Sequence, residues 1–99
     1  MANASALLAT LADPTRRALV EKLRAGPKTV GQLAEDTPVS RSAVSQHLQI
    51  LKAAEVVGER RQGTRHFYSL RPEALGELRT YVDHLWTDAL DAFGRRDDE

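Results

Sequence analysis

The chain contains no cysteine, which excludes disulfides, zinc–thiolate centres and thiol nucleophiles. No apolar run approaches the roughly 20 residues needed to span a bilayer. The opening stretch MANASALLATLADPTRR has neither a basic leader nor a long apolar segment, so no secretory signal is expected there and the cytoplasm is the expected compartment. There is no glycine-rich phosphate loop, no repeat and no low-complexity linker. His47, His66 and His84 fall on three separate predicted elements, none beside a serine-and-acid pattern, and paired carboxylates occur only on helix exteriors and in the tail. Enzyme chemistry and a resident cofactor are therefore not expected. A net charge is missing too: 14 Lys/Arg balance 14 Asp/Glu.

That balance conceals a strong asymmetry. Residues 1–39 carry five basic and four acidic side chains, residues 40–71 six and two, and residues 72–99 three and eight. A phosphate responds to the local field, so the +4 of the middle segment matters more than the zero of the whole.

A single domain over 1–99 is the expected organisation for this length. Residues 4–11 read as a short helix with Leu7, Leu8 and Leu11 on one side. Asp13-Pro14 starts a second helix as N-cap and first helical residue; it runs to Leu23, burying Ala18, Leu19, Leu23 and Val20, and Gly26-Pro27 stops it. Thr29 caps a third helix, to about Asp36, which buries Val30, Leu33 and Ala34. Ser40 caps a fourth, about Arg41 to Ala54, with Val44, Leu48 and Leu51 at i, i+4, i+7 facing the core, and Arg41, Ser42, Ser45, Gln46 and Gln49 facing away. Residues 56–70 read as a β-hairpin turning at Gln62-Gly63, with arginines around the turn. Pro72 opens a last helix over 73–93, followed by a polar tail at 95–99. That helix carries Leu75, Leu78, Tyr81, Val82, Leu85, Trp86, Ala89, Leu90 and Phe93, a stripe too wide for one packing contact on a small domain.

Residues 29–54 therefore have the layout of a helix-turn-helix, and 56–70 that of its β-hairpin wing; the expected fold is mainly α, a winged helix-turn-helix. Its second helix would enter a DNA major groove. Arg41 can reach a phosphate or make a bidentate contact to guanine, while Ser42, Ser45 and Gln46 are short enough to approach base edges. Amides at the helix start near Ser40 suit a phosphate. Arg60, Arg61, Gln62 and Arg65 of the wing are expected against phosphates or in the minor groove. His47 reads equally as a packing residue or a DNA contact, His66 as a surface residue, and Tyr68 as core.

The segments LADPTRRALVEKL at 11–23, TVGQLAE at 29–35, SRSAVSQHLQILKAAEVV at 40–57 and RRQGTRHFYSL at 60–70 resemble the ArsR/SmtB family of small dimeric bacterial repressors. The resemblance implies a homodimer built from the first and last helices, through Leu7, Leu8, Leu11, Leu78, Tyr81, Val82, Leu85, Trp86, Ala89, Leu90 and Phe93. It also implies an imperfect inverted repeat of double-stranded DNA as the partner. Many relatives sense metals. Here Thr29 and Gly31 stand where a thiolate pair would be, and the second known site lacks its partner histidine, so no metal is expected. The residual group is His84, Asp88 and Asp91 at i, i+4, i+7 on the last helix. A metal-responsive repressor using that group and a winged-helix protein-interaction module are the alternatives. What releases DNA is left open between a small molecule near Trp86 and Tyr81, a protein partner, and the protein's own concentration.

Overall fold

The computed structural model describes residues 3–97, with side chains described to residue 94. Four helices, a hairpin and a long helix follow one another: α1 (Ala4–Leu11), α2 (Pro14–Leu23), α3 (Val30–Ala34), α4 (Arg41–Ala53), β1 (Val57–Gln62), β2 (Arg65–Leu70) and α5 (Pro72–Asp97). Each of the first four helices begins at a polar side chain that takes up an otherwise orphaned amide. Asn3 accepts from the Ala6 N–H at 2.9 Å, Asp13 from Arg16 at 3.0 Å and Ser40 from Ala43 at 3.1 Å. Thr29 accepts from Gln32 at 3.2 Å while Gln32 Oε1 accepts from the Thr29 N–H at 2.9 Å, a complete capping box.

The C-terminal ends use backbone geometry instead. Beyond α4, the Val56 N–H donates to Leu51 O at 2.9 Å and the Glu55 N–H to Lys52 O at 3.0 Å, with Glu55 at φ 63°: a Schellman ending with glutamate where glycine is usual. Between α3 and α4, Glu35 (φ −60°, ψ 135°) precedes Asp36 at φ 59°, and the Thr37 N–H reaches Ala34 O at 3.2 Å. That is a type II turn with aspartate at the position that favours glycine. Lys22 of α2 secures it, donating to Leu33 O at 3.1 Å, to Glu35 O and to Thr37 Oγ1 at 2.7 Å. An α3 of five residues has no stability of its own, so its end is held from outside.

Leu7, Leu19, Leu23, Leu33, Val44, Leu48, Leu51, Val56, Val57, Tyr68 and Ala74 form one core. The hairpin is antiparallel, pairing Val57 with Leu70 through to Gln62 with Arg65. A third short rung joins it: the Lys28 N–H donates to Tyr68 O at 3.0 Å and the Tyr68 N–H to Lys28 O at 2.8 Å, which ties the hairpin to the chain entering α3.

Several expectations are corrected. Leu7 is 1% exposed within the protomer, so it is a core residue with no surface left for a partner subunit. Ala18 is exposed, because the inward stripe of α2 runs through Leu19 and Leu23, 100° away. α3 stops at Ala34 rather than Asp36, since the type II turn begins there. The hairpin turn is Gly63-Thr64, one residue later than expected, with Gly63 at φ 64° and Gln62 still paired. α5 runs to Asp97, past the expected end at Phe93 and into the expected tail: a lone glycine such as Gly94 costs a helix about 1 kcal/mol and does not stop it. Residues 98 and 99 of that tail lie outside the described residues.

Candidate nucleic-acid interface

α4 presents two faces. Val44, Leu48 and Leu51 are fully buried, which fixes the helix rotationally and turns Arg41, Ser42, Gln46 and Gln49 to solvent, with Ser45 half-buried beside them. Ser40 is exposed at the cap, its hydroxyl oxygen taken by the Ala43 amide. His47 lies at the edge of this face, half-buried, with Nδ1 3.5 Å from the Arg16 guanidinium. A guanidinium only donates, so Nδ1 accepts and a neutral His47 carries its proton on Nε2. Arg16 also donates from Nε to Thr10 O at 2.7 Å, joining the end of α1 to the middle of α4.

The hairpin divides its arginines. Side chains alternate along a strand, so the register sets Glu59 and Arg61 on one face with Tyr68 and His66, and Arg60 and Gln62 on the other with Phe67 and Arg65. Arg60, Arg61, Gln62 and Arg65 are all exposed. His66, expected as a surface residue, is part-exposed and has a partner. Its Nδ1 lies 2.5 Å from Glu59 Oε2, while Lys52 Nζ of α4 donates to Glu59 Oε1 at 3.0 Å. The hydrogen bond from His66, then that from Lys52, hold the Glu59 carboxyl below its ordinary value, and burial pushes the Tyr68 phenol up. This Lys52–Glu59–His66 chain braces the hairpin against the reading helix. Nothing in the sequence announced it, since the partners are seven residues apart across a chain reversal. Arg16 and Lys22 went unassigned for the same reason.

Arg41 and the tip of the hairpin border one space. Thr29, Val30, Arg41, Thr64, Arg65 and His66 line a common cleft of about 330 Å³. The Arg41 guanidinium lies back over Gly31 of α3: a β-carbon there would sit 3.2 Å from Nη2 and 3.6 Å from Cζ.

The region 13–58 matches the family model described as bacterial regulatory protein, arsR family. The chain is 55% identical over 85 residues to the HTH-type transcriptional regulator Rv2034 of Mycobacterium tuberculosis, covering 86% of this chain and 79% of that one. The chain belongs to the ArsR family. A second relative, the transcriptional repressor SdpR of Bacillus subtilis, is 42% identical over 65 residues, 66% of this chain and 72% of its own. The ArsR-like transcriptional regulator from Rhodococcus sp. RHA1 superposes with a TM-score of 0.77 at 26% identity, covering 92% of this chain and 89% of that one. ArsR membership makes the protein a DNA-binding transcriptional regulator with a winged helix-turn-helix, in a family of regulators rather than enzymes.

An ArsR-type thiolate site does not fit these residues. Thr29 Oγ1 is committed to capping α3, and the space beside Gly31 is filled by Arg41. His84, Asp88 and Asp91 are exposed on α5, and within one protomer no cluster of three such ligands forms among the described residues. No helix among the described residues is long and apolar enough to cross a membrane.

Proposed function

We propose that the protein is a homodimeric repressor that binds an inverted-repeat operator in the cytoplasm, with no metal needed for binding. The observation that carries this is the shared cleft: it sets the N-terminus of α4 beside the hairpin tip, so the reading helix and the wing can engage one stretch of duplex. Ser42, Ser45 and Gln46 then address base edges, with Gln46 suited to adenine, while Arg60, Arg61, Gln62 and Arg65 track the backbone and minor groove. His47 offers Nε2–H from the edge of the same helix.

Dimerisation rests on α5. Its first turns pack on the core through Ala74 and Leu78, yet Tyr81, Val82, Leu85, Trp86, Leu90 and Phe93 are 42% to 66% exposed, and Leu8 of α1 is 44% exposed. Ala89 is exposed on the same helix and Leu11 of α1 is half-buried. A contiguous apolar face of this size on a small protein calls for a partner. A second copy supplies matching surface and places two reading helices about 34 Å apart, one duplex turn. Bound at a promoter, the dimer blocks polymerase sterically. A small molecule near Trp86 and Tyr81, a protein partner, or dilution below the dimer constant would release it.

The test is fluorescence anisotropy with labelled DNA from upstream of the gene, beside a scrambled duplex, at several salt concentrations and with chelator present. The native duplex is expected to bind at least ~10³-fold tighter than the scrambled one, with affinity falling steeply in salt. Gln46→Ala is expected to erode that ratio, and Leu85→Asp to give a monomer by sedimentation with the specific affinity lost. Equal binding to both duplexes by the wild-type protein would refute the operator reading.

A further inference from the structure

The cleft between α3, the start of α4 and the hairpin tip has a property that its place at the reading head does not require. Two arginines, Arg41 and Arg65, line it, and among the described residues neither has an ion-pair partner. Glu59, the carboxylate paired with His66 of the cleft lining, is also held by Lys52. Two uncompensated cationic residues lining one concavity favour an anion between them. Thr64, a residue with a hydroxyl donor, lines the same space.

Arg41 lies against Gly31. An extended arginine at the first position of a reading helix would reach for a guanine edge. Here the guanidinium folds back across α3, where the missing side chain of Gly31 provides a shelf; even a methyl group would press on Nη2 at 3.2 Å.

We propose that this cleft is the seat for one DNA backbone phosphate per half-site, held between Arg41 and Arg65 with Thr64, and that Gly31 is the positioning residue that dedicates Arg41 to it. The inference rests on the operator-binding reading above. It settles Arg41, open in the sequence between a phosphate and a guanine, on the backbone, and leaves base discrimination to Ser42, Ser45 and Gln46. A phosphate contact changes affinity without changing preference, whereas a bidentate base contact changes preference.

The test uses the same titration with operator and scrambled duplexes. Arg41→Ala is expected to weaken binding to both by a similar factor, about tenfold or more, and to make the salt dependence shallower by about one unit of slope. Arg41→Lys keeps most of the affinity, because an ammonium serves a phosphate but not a bidentate base contact. Gly31→Leu fills the shelf and is expected to reproduce the Arg41→Ala pattern with no fall in Tm; should it fail to fold, Gly31→Ala gives the same pattern at smaller amplitude. Operator duplexes with a single methylphosphonate linkage, scanned along one half-site, locate the phosphate: at one position, neutralisation weakens the wild type but not Arg41→Ala. A loss of operator preference in Arg41→Ala, or a folded Gly31→Leu that binds as wild type, overturns the seat while leaving the operator reading intact. A wild-type protein that binds neither duplex removes both.

Discussion

Replacing Lys22 by methionine tests how the helix-turn-helix is held in register. The ammonium group donates to Leu33 O, Glu35 O and Thr37 Oγ1, and Thr37 Oγ1 itself donates to Leu33 O at 2.7 Å. Methionine keeps the length and packing of the stem and removes all three bonds. Hydrogen bonds to a charged group contribute about 1.5–3 kcal/mol each when their acceptors stay dry. Lys22 is only half-buried, so water can reach part of the vacated space. The expected loss is therefore about 2 kcal/mol in total, not the sum of three full bonds, or roughly 8–16 °C in Tm for a domain of this size. Urea unfolding followed by circular dichroism, at one fixed protein concentration, measures it. Native-state hydrogen exchange adds a local readout: the Thr37 amide, bonded to Ala34 O, should exchange faster through local opening, while the Leu48 and Leu51 amides of α4 lose protection only by the fall in global stability. A variant within ~0.5 kcal/mol of wild type, the range of an ordinary surface substitution, would show that the turn does not depend on this lysine.

Asp36→Gly should stabilise the protein by several tenths of a kcal/mol to about 1 kcal/mol, because φ 59° in the type II turn strains any residue with a β-carbon; matched urea midpoints read this directly. Glu59→Gln should lower stability at neutral pH and flatten its acid dependence. The Glu59 carboxyl titrates lower in the folded protein than in the unfolded chain, so its contribution is present above the ordinary value of 4.5 and is lost as pH falls through that value toward the folded one. The two proteins should therefore differ at pH 7 and converge below that range, and parallel curves from pH 3 to 7 would contradict the linkage. Leu7→Ala should cost about 2–5 kcal/mol with dimerisation intact once refolded, as befits a core side chain rather than an interface one.

The parts of the fold legible in the sequence are those decided by chemistry within one turn of helix. Asp13, Thr29 and Ser40 each act on an amide three residues ahead, and the helix starts fall where those residues stand. The 3.6 period of Val44, Leu48 and Leu51 oriented α4 correctly for the same reason. What escaped is set by contacts without periodicity. Lys22 holds a turn formed by residues 33–37, Arg16 crosses from Thr10 to His47, and Glu59 gathers Lys52 and His66 from two elements. Gly31 was legible only as a missing metal ligand, because its service to Arg41 depends on how α3 packs against α4.

The hairpin's parity has a consequence for how such a regulator can change over generations. Exchanging one wing residue for another alters one point of contact and leaves the rest in place. Gaining or losing a single codon between Arg60 and the Gly63-Thr64 turn is a different kind of event. Every side chain between the change and the turn passes to the opposite face, so Arg61 would leave the side of Glu59 and His66 while Gln62 took its place. Drift by substitution can retune the wing gradually, whereas an in-frame insertion or deletion there would rewire it in one step.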